Sequence, residues 1–286
     1  MSDQQQSGQS AAARAVVPAL PAATVTVVRD SGGSIEVLMM RRNLKSGFVP
    51  GMYVFPGGGL DQADLSFKNN GLCNCLEDHA ASAALGLGCD GIGYWAAAIR
   101  EAFEEAGLLL ARDAQGRPLA FSEAATQRRF DEHRRRLNAG ELEFADLLRE
   151  EGLQLAADQL TYFAHWITPV TAPRRYDTRF FMAEAPAGQE PLHDDHETIA
   201  ATWISPAEAL SLHARGTFEM RTPTVRTLET FAACDTVASL RRSLATVQGN
   251  VQALMPRIAK NGQRLLPGEP GYEEAGTAEG AGAWQN

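Results

Sequence analysis

The chain has 286 residues, of which 44% are hydrophobic, and this content can bury a full core, so disorder throughout is excluded. A formal net charge of −9 argues against a nucleic-acid-binding surface, because binding to phosphate backbones requires concentrated Lys and Arg. No apolar run approaches the ~20 residues of a membrane-spanning helix, and the start of the sequence has no secretion pattern.

The first predicted elements form a hairpin. Residues 1–17 are rich in Gln, Ser and Ala and are predicted to be disordered. Residues 23–29 and 35–41 have the composition of strands, and they flank the turn sequence DSGG at residues 30–33. We therefore expect the folded domain to begin at residue 18 with two antiparallel strands.

A glycine-rich loop follows the short predicted strand 53–55. Its sequence is FPGGGLDQAD, over residues 55–64, with three consecutive glycines. Glycine lets a backbone turn sharply and approach a ligand without a Cβ in the way. A simple hairpin turn would use the same residues, and only the acidic helix further along the chain favours a functional loop.

The segment 65–99 contains four candidate zinc ligands. They are Cys73, Cys75, His79 and Cys89. These residue types suit a structural Zn²⁺ site, but their spacing matches no strong zinc motif. Reduced thiols that pack as small hydrophobic groups are the favoured interpretation, and the metal site is left open.

The most informative segment of the chain is REAFEEAGL, at residues 100–108. In a helix, Glu101, Glu104 and Glu105 have the spacing i, i+3 and i+4, which places three carboxylates on one face. An apolar stripe on the opposite face would pack against a sheet. Acidic helix faces are often merely solvated, but carboxylates also bind Mg²⁺, which completes its coordination with substrate phosphates. The segment therefore predicts metal-dependent phosphate chemistry.

The second half of the chain alternates between helices and strands. The predicted elements are a helix at 122–138 capped by Ser122, a helix at 141–151, strands at 160–168, 178–184 and 198–204, and helices between 208 and 260. The first two helices would form an insertion over residues 120–155. The tail 266–286 is rich in Gly, Glu and Ala and is predicted to be disordered.

Two of these segments resemble the Nudix box of the Nudix hydrolases. Residues 100–108 resemble its second half, and the Pro-Gly-Gly sequence at residues 56–58 resembles its entry. Asp64 stands in place of the usual Glu, and its shorter side chain leaves a salt bridge to Arg100 undecided. The insertion 65–99 splits the box and is far longer than the segment that the family has there.

A split box of this kind resembles the peroxisomal-type coenzyme A diphosphatase branch of the family. The sequences WITP at residues 166–169 and PRRYDTRFF at residues 173–181 resemble a segment of the same enzymes. The resemblance implies an α/β fold, a Nudix α/β/α sandwich with a mixed sheet. Helical insertions and a helical C-terminal extension would decorate a single domain over residues 18–265.

The resemblance also implies a metal site. The carbonyl of Gly57 and the carboxylates of Glu101, Glu104 and Glu105 would hold one or more Mg²⁺ or Mn²⁺ ions. Arg100 would lie beside these carboxylates and orient one of them by a bidentate pair.

Substrate contacts are expected from Gly58, Arg174, Arg175 and Tyr176. An Arg pair in a loop suits a diphosphate or a 3′-phosphate, because a guanidinium binds phosphate oxygens bidentately. The clustered arginines within 128–136 are interpreted as a solvated helix face, with the 3′-phosphate as the target of any that reach the substrate.

The general base has two candidates. In the family it is a box Glu or an acid on a later loop, and the polar loop here contains His193, Asp194, Asp195, His196 and Glu197. Glu197 is the preferred base and Glu101 the alternative. A solvated acidic turn explains the loop equally well.

Three functions remain open. The leading prediction is hydrolysis of coenzyme A or acyl-coenzyme A to (acyl-)phosphopantetheine and adenosine 3′,5′-bisphosphate. The first alternative is an ADP-ribose or NADH pyrophosphatase that uses the same metal face. The second is a Nudix-fold module that binds a nucleotide without cleaving it, against which the three retained glutamates argue.

The expected partner is a small nucleotide substrate, with neither nucleic acid nor membrane. A homodimer is compatible with this prediction. The sequence ends without a Ser-Lys-Leu-type peroxisomal address, so a cytoplasmic location is expected.

Overall fold

The computed structural model describes residues 16–44, 50–194 and 197–275. Its strands are β1 (Ala19–Ser31), β2 (Ser34–Arg42), β3 (Tyr53–Val54), β4 (Gly57–Gly59), β5 (Ala111–Arg112), β6 (Gln154–Leu155), β7 (Thr161–Ile167), β8 (Arg175–Glu184), β9 (Thr198–Ile204), β10 (Ala253–Leu254), β11 (Arg257–Ile258) and β12 (Arg264–Leu265). Its α-helices are α1 (Asp78–Leu85), α2 (Ile92–Ala106), α3 (Ala124–Asn138), α4 (Phe144–Glu150), α5 (Pro206–Ala214), α6 (Thr222–Phe231) and α7 (Val237–Ala245). Within these ranges, no helix is long and apolar enough to cross a membrane.

Within the described ranges, the main sheet is mixed and has eight strands. β10, β7, β8, β1, β2 and β3 lie side by side in that order, while β4 pairs with β1 and β9 pairs with β2. β1 runs parallel to β8 and antiparallel to β2, so the predicted mixed sheet is confirmed. Because β1 is long, it can pair with β2 near its end and with the glycines of β4 nearer its start.

Both faces of the sheet are covered, as β2 illustrates. Leu38 and Met40 are buried in the core on one face, and Val37 and Met39 are buried in the core on the other. This alternation follows from the strand period of two. α2 packs on the first face and α5, α6 and α7 pack on the second, so the predicted three-layer arrangement is confirmed.

α2 is the central helix of the first layer. Phe103 and Ala106 on its apolar face are buried against the sheet, as the sequence pattern predicts. The helix ends at Gly107, whose φ of 69° is in the left-handed region that favours glycine. Because α2 begins at Ile92, the end of the segment 65–99 belongs to this helix rather than to a separate insertion.

The remainder of that insertion carries the cysteines. Cys73 Sγ and Cys75 Sγ lie 3.9 Å apart, and the Cys89 thiol donates to the Asp90 carboxylate at 3.2 Å. Among the described residues, no group of three or more His, Cys, Asp or Glu side chains is arranged to hold a metal ion. The structure therefore does not gather these cysteines and His79 into a zinc site.

Two helical predictions in the second half need correction. The helix predicted from residue 122 begins at Ala124, and its N-cap is Glu123 rather than Ser122. Helices were expected up to residue 260, but the chain after α7 forms strands, because β10 pairs beside β7 with Leu254 opposite Trp166.

The prediction that residues 266–286 are disordered is wrong for residues 266–275. Tyr272 and Ala275 are buried against Leu265, and the Tyr272 hydroxyl donates to the Met255 carbonyl at 2.8 Å. Disorder was inferred from the Gly, Glu and Ala content of this segment, but the one large aromatic ring of Tyr272 supplies apolar area that can be buried. The remaining tail predictions, for residues 1–15 and 276–286, fall outside the described residues.

Candidate active site

Arg100 on α2 is the hub of the site. Its Nε and Nη2 atoms donate to the two carboxylate oxygens of Asp64, each at 3.0 Å, in a bidentate pair. Asp64 is 1% exposed and Arg100 is 6% exposed, so the pair is screened little by solvent. This contact answers the question that the sequence left open, because Asp64 does reach Arg100.

The same guanidinium organises the carboxylates. Its Nη1 atom donates to Glu101 Oε1 and to Glu104 Oε2, both at 2.9 Å. Its Nη2 atom also donates to the Gly59 carbonyl at 2.9 Å. Arg100 therefore ties the carboxylate face of α2 to the glycine loop. The sequence predicted a bidentate pair with one of the glutamates, whereas the bidentate partner is Asp64, and Glu101 and Glu104 share the single Nη1 donor.

The glycine loop lies directly against the carboxylates. The Gly57 N–H donates to Glu105 Oε2 at 3.3 Å. A Cβ on Gly58 would stand 2.4 Å from Glu101 Oε1, and a Cβ on Gly57 would stand 2.5 Å from the Ala23 carbonyl. At Gly57 the clash would be with backbone, so only glycine fits there, whereas a Cβ on Gly58 would force the Glu101 carboxylate to move away from Arg100.

Burial shapes the electrostatics of the carboxylates. Desolvation, with a contribution from the charge of Glu104, raises the pKa of Glu101 to about 8 although Arg100 opposes the shift. Burial and the neighbouring Glu101 charge also hold the pKa of Glu105 well above its usual range. The folded chain thus crowds carboxyl groups where their charged forms are disfavoured, and a bound cation would stabilise those charged forms.

The donor set fits a hard divalent cation. Glu101 and Glu105 border the glycine loop directly, and Glu104 is joined to it through Arg100, which also binds the Gly59 carbonyl. Mg²⁺ and Mn²⁺ prefer such oxygen ligands. In the described ranges these glutamates do not form a preassembled metal cluster, since Arg100 draws two of them to itself.

A cavity of about 1000 Å³ opens beside the loop. Its wall includes part of the predicted set, namely Gly57, Gly58, Glu101, Arg174, Tyr176 and Glu197. Glu104 and Glu105 are not part of the wall: Glu105 is buried behind it against Gly57, and Glu104 is partly exposed and pairs with Arg100. The volume is at the upper end of the range for small-molecule sites, which suits a large nucleotide derivative.

Arg175 departs from the prediction that it binds substrate. Its side chain is buried, and it donates to the Thr168 carbonyl at 3.0 Å and to the Val17 carbonyl at 2.7 Å. Neighbouring residues on a strand point to opposite faces, so Tyr176 lines the cavity while Arg175 does not. Arg175 thus has a structural role. Of the three neighbouring residues predicted to contact the substrate, Arg174 and Tyr176 line the cavity.

The acidic loop places one carboxylate at the cavity. Glu197 lines it, and Glu197 Oε2 lies 3.8 Å from Arg42 Nη2. Asp194 instead accepts bonds from the Glu197 and Thr198 backbone N–H groups, which fixes the start of β9. His193 is part-buried outside the lining, and Asp195 and His196 fall outside the described residues.

Three cavity arginines were not predicted from the sequence. Arg42 ends β2, Arg221 precedes α6, and Arg264 begins β12. They are far apart along the chain and belong to no local motif, so nothing in the sequence places them together. Only the position of Arg221 at the start of a helix could be predicted, because Thr222-Pro223 marks a helix N-terminus.

Comparison with known proteins places the chain in context. Residues 88–230, half of the chain, match the family model described as the NUDT19 Nudix domain. The Xenopus laevis protein named acyl-coenzyme A diphosphatase NUDT19 is 28% identical over 64% of this chain and 56% of its own length. The Gallus gallus protein of the same name is 31% identical over 61% of this chain and 55% of its own length. The chain thus spans about half the length of the curated relatives it matches.

One solved structure supports the fold. The crystal structure of a NUDIX hydrolase from Alicyclobacillus acidocaldarius superposes with a TM-score of 0.63 and is 30% identical. The match covers 78% of this chain and 96% of that chain. The predicted α/β/α sandwich is thereby confirmed.

Proposed function

Because the chain belongs to the Nudix hydrolase family, in the group described as the NUDT19 Nudix domain, we propose that it hydrolyses the diphosphate of coenzyme A or acyl-coenzyme A. The products are phosphopantetheine, or its acyl form, and adenosine 3′,5′-bisphosphate. The curated relatives named acyl-coenzyme A diphosphatase support this choice of substrate.

One structural observation carries the proposal. The Gly57 N–H contacts Glu105, and Gly58 has no space for a Cβ beside Glu101, so carboxylates and glycine loop form one surface. This surface stands at one side of a cavity large enough for a nucleotide with a long substituent. A binding module that only senses a nucleotide would not need three carboxylates at that place.

Nudix hydrolases generally use divalent metal ions, and we assign Mg²⁺ or Mn²⁺ to this chain. The Gly57 carbonyl and the carboxylates of Glu101, Glu104 and Glu105 would hold the metal. When bound, it would neutralise charge on the diphosphate, which is the main requirement of phosphoryl transfer. The buried and crowded carboxylates described above support this ligand set.

The protein residues account for the other requirements of hydrolysis. Water adds to one phosphorus, the bond from that phosphorus to the bridging oxygen breaks, and each product keeps one of the two phosphates of the former diphosphate. Glu197, or Glu101 in the alternative, accepts the proton of the water. Arg100 acts through Glu101 and Glu104 by holding their carboxylates in place.

Arg174 and Tyr176 are assigned to the substrate. Both line the cavity on the segment that leads into β8. A guanidinium suits the diphosphate, and an aromatic ring suits stacking on adenine or contact with an acyl chain.

A metal-dependent hydrolysis panel tests the proposal. The full chain is incubated with Mg²⁺ or Mn²⁺ and with coenzyme A, acyl-coenzyme A, ADP-ribose or NADH, and products are separated by chromatography. Release of adenosine 3′,5′-bisphosphate from coenzyme A species supports the proposal. AMP release confined to ADP-ribose or NADH would favour the first alternative, and no turnover of any substrate would favour a binding module.

A further inference from the structure

The cavity carries more positive than negative charge, although the whole chain has a net charge of −9. Among the described residues, its wall includes four arginines and two glutamates, which are Arg42, Arg174, Arg221, Arg264, Glu101 and Glu197. One glutamate belongs to the carboxylate face of α2. Arg221 and Arg264 lie at a part of the wall built by the C-terminal third of the chain. We call the surface formed by Arg221, Arg264 and the first turn of α6 the arginine end of the cavity.

Arg221 is held in a fixed position relative to the glycine loop. Two residues before it, the Glu219 carbonyl accepts a hydrogen bond from the Tyr53 N–H at 2.9 Å. The Tyr53 ring also stacks on Phe218, with ring centroids 3.4 Å apart. Tyr53 begins β3, which leads directly to Pro56 and the glycines. Arg221 is therefore anchored to the strand that positions the loop.

Strand pairing near the end of the described chain positions Arg264 beside Arg221. β10 pairs beside β7, and β11 then pairs with β12, where Ile258 lies opposite Arg264. The burial of Leu265 and Tyr272 fixes this small hairpin. Arg264 Nη1 lies 3.4 Å from Thr222 Oγ1, at the start of α6. The two arginines thus meet at one helix N-terminus.

The electrostatics of the arginine end favour an anion. Burial and the positive charge of Arg264 lower the pKa of Arg221, while Glu219 opposes the shift. Thr222, Pro223 and Thr224 of the first turn of α6 line the cavity, so the positive end of the helix dipole faces it as well. Two guanidiniums and a helix N-terminus form a surface that suits phosphate oxygens.

We propose that Arg221, Arg264 and the first turn of α6 bind a phosphate of the substrate other than the diphosphate, namely the ribose 3′-phosphate of coenzyme A. This inference rests on the proposed function. The diphosphate must lie at the carboxylates and the glycine loop, where it is cleaved. A substrate with a diphosphate alone would leave a second anion site in the same cavity without a purpose, whereas coenzyme A has one further phosphate.

The other arginines considered for this role are occupied elsewhere. Arg134 donates to the Glu104 and Glu105 carbonyls and so supports the end of α2. Arg129 pairs with Glu151 at 2.8 Å, on the exposed side of α3. Neither lines the cavity, and Arg175 is buried against backbone carbonyls.

Substrate discrimination tests the subsite. Arg221→Gln and Arg264→Gln are compared with the matched control Arg226→Gln, which removes the same charge from α6 where Arg226 pairs with Glu229 outside the cavity. Coenzyme A and dephospho-coenzyme A are used as substrates, because they differ only in the 3′-phosphate. Each subsite variant should raise KM for coenzyme A about tenfold or more, since a hydrogen bond to a charged group contributes roughly that factor.

For dephospho-coenzyme A, KM and kcat should stay within about threefold of the wild type. The Arg226→Gln control should leave both substrates unchanged. Arg264→Lys should recover part of the preference, because a lysine keeps the charge without the bidentate geometry. Equal losses on both substrates would overturn the inference, because the arginines would then bind the diphosphate or support the fold.

Calorimetry separates failure of the subsite from failure of the proposed function. Binding of adenosine 3′,5′-bisphosphate and of AMP to the wild type and the two variants requires no turnover. The wild type should bind the bisphosphate about tenfold or more tightly than AMP, and the variants should lose this difference. If the wild type does not hydrolyse coenzyme A but shows this preference, only the proposed function fails. If it hydrolyses coenzyme A without the preference, only the subsite fails.

Discussion

The two ends of the cavity are built in different ways. We call the carboxylate face of α2 with the glycine loop the carboxylate end of the cavity. There, Arg100, Glu101 and Glu104 come from two turns of one helix, and Asp64 pairs with Arg100 through two hydrogen bonds. At the arginine end, the two guanidiniums come from segments far apart in the sequence. They meet only because β10 joins the sheet beside β7 and the hairpin of β11 and β12 follows it.

The two constructions suit two tasks, bond cleavage at one end of the cavity and substrate selection at the other. The carboxylate end is buried, crowded and joined by short hydrogen bonds, which suits a site that must hold charge in a fixed geometry. The arginine end is more exposed and is supported by a small hairpin. It suits recognition of a substituent that does not react.

The largest effect is expected from Glu104→Gln. This change removes a charged metal ligand but keeps the shape of the side chain, so kcat should fall about 10³-fold, since a bound metal contributes several kcal/mol to the barrier. Steady-state kinetics with saturating Mg²⁺ would measure it. Adenosine 3′,5′-bisphosphate should still bind, because the arginine end is separate.

Glu132→Gln is the matched control, because Glu132 is exposed on α3 and pairs with Arg135. It should leave kcat unchanged. Unchanged turnover in Glu104→Gln would refute the ligand assignment. Loss of both turnover and bisphosphate binding would show that the two ends do not act separately.

The next effect is expected on stability, from Arg100→Ala. Arg100 is 6% exposed, and its removal leaves buried Asp64 and Glu101 without their partner. The free energy of unfolding should fall by about 3–5 kcal/mol, the usual loss when one member of a buried ion pair is removed. Urea denaturation followed by circular dichroism would measure the change.

Arg149→Ala serves as the comparison, because Arg149 pairs with Asp146 on an exposed surface. It should barely alter the unfolding midpoint, as surface ion pairs contribute little. Equal midpoints for the two variants would contradict the role of Arg100 as the hub of the carboxylate end.

A smaller effect is expected from Gly58→Ala. The added Cβ would stand 2.4 Å from Glu101 Oε1, so the loop and the carboxylate must move apart. A misplacement of this size costs about 10²-fold in rate, and kcat should fall accordingly while the fold is retained. Steady-state kinetics would measure kcat, and a thermal melt would show whether the fold is retained.

Gly88→Ala is its control, because a Cβ on Gly88 would meet nothing within 4 Å. That variant should keep full activity. Full activity in Gly58→Ala as well would mean that the close approach of loop and helix is not needed for hydrolysis.

The sequence predicted the glutamate face of α2 for a local reason, while the role of these glutamates as metal ligands stays a prediction. The helical period alone places Glu101, Glu104 and Glu105 on one face. The three glycines indicate a loop whose backbone can approach a ligand or side chain closely. The sequence could not predict that Asp64 reaches Arg100 across the insertion, because that contact depends on where α2 begins. A cytoplasmic location, which is expected from the sequence, stays a prediction, and a homodimer is only compatible with the sequence.

The errors arose where long-range packing overrides local composition. Arg175 was expected at the substrate, but the register of β8 beside β1 turns it towards the Val17 carbonyl. Residues 266–275 were expected to be disordered, but burial of Tyr272 orders them.

The family could be inferred from the sequence because two short segments resemble the Nudix box, and this resemblance implied the mixed three-layer fold. The acidic helix face follows from the period of 3.6 residues. Tertiary structure alone decided that Arg221 and Arg264 share one wall of the cavity with the glycine loop. The physical reason is that strand pairing between distant segments fixes these positions, and no local periodicity encodes such a meeting.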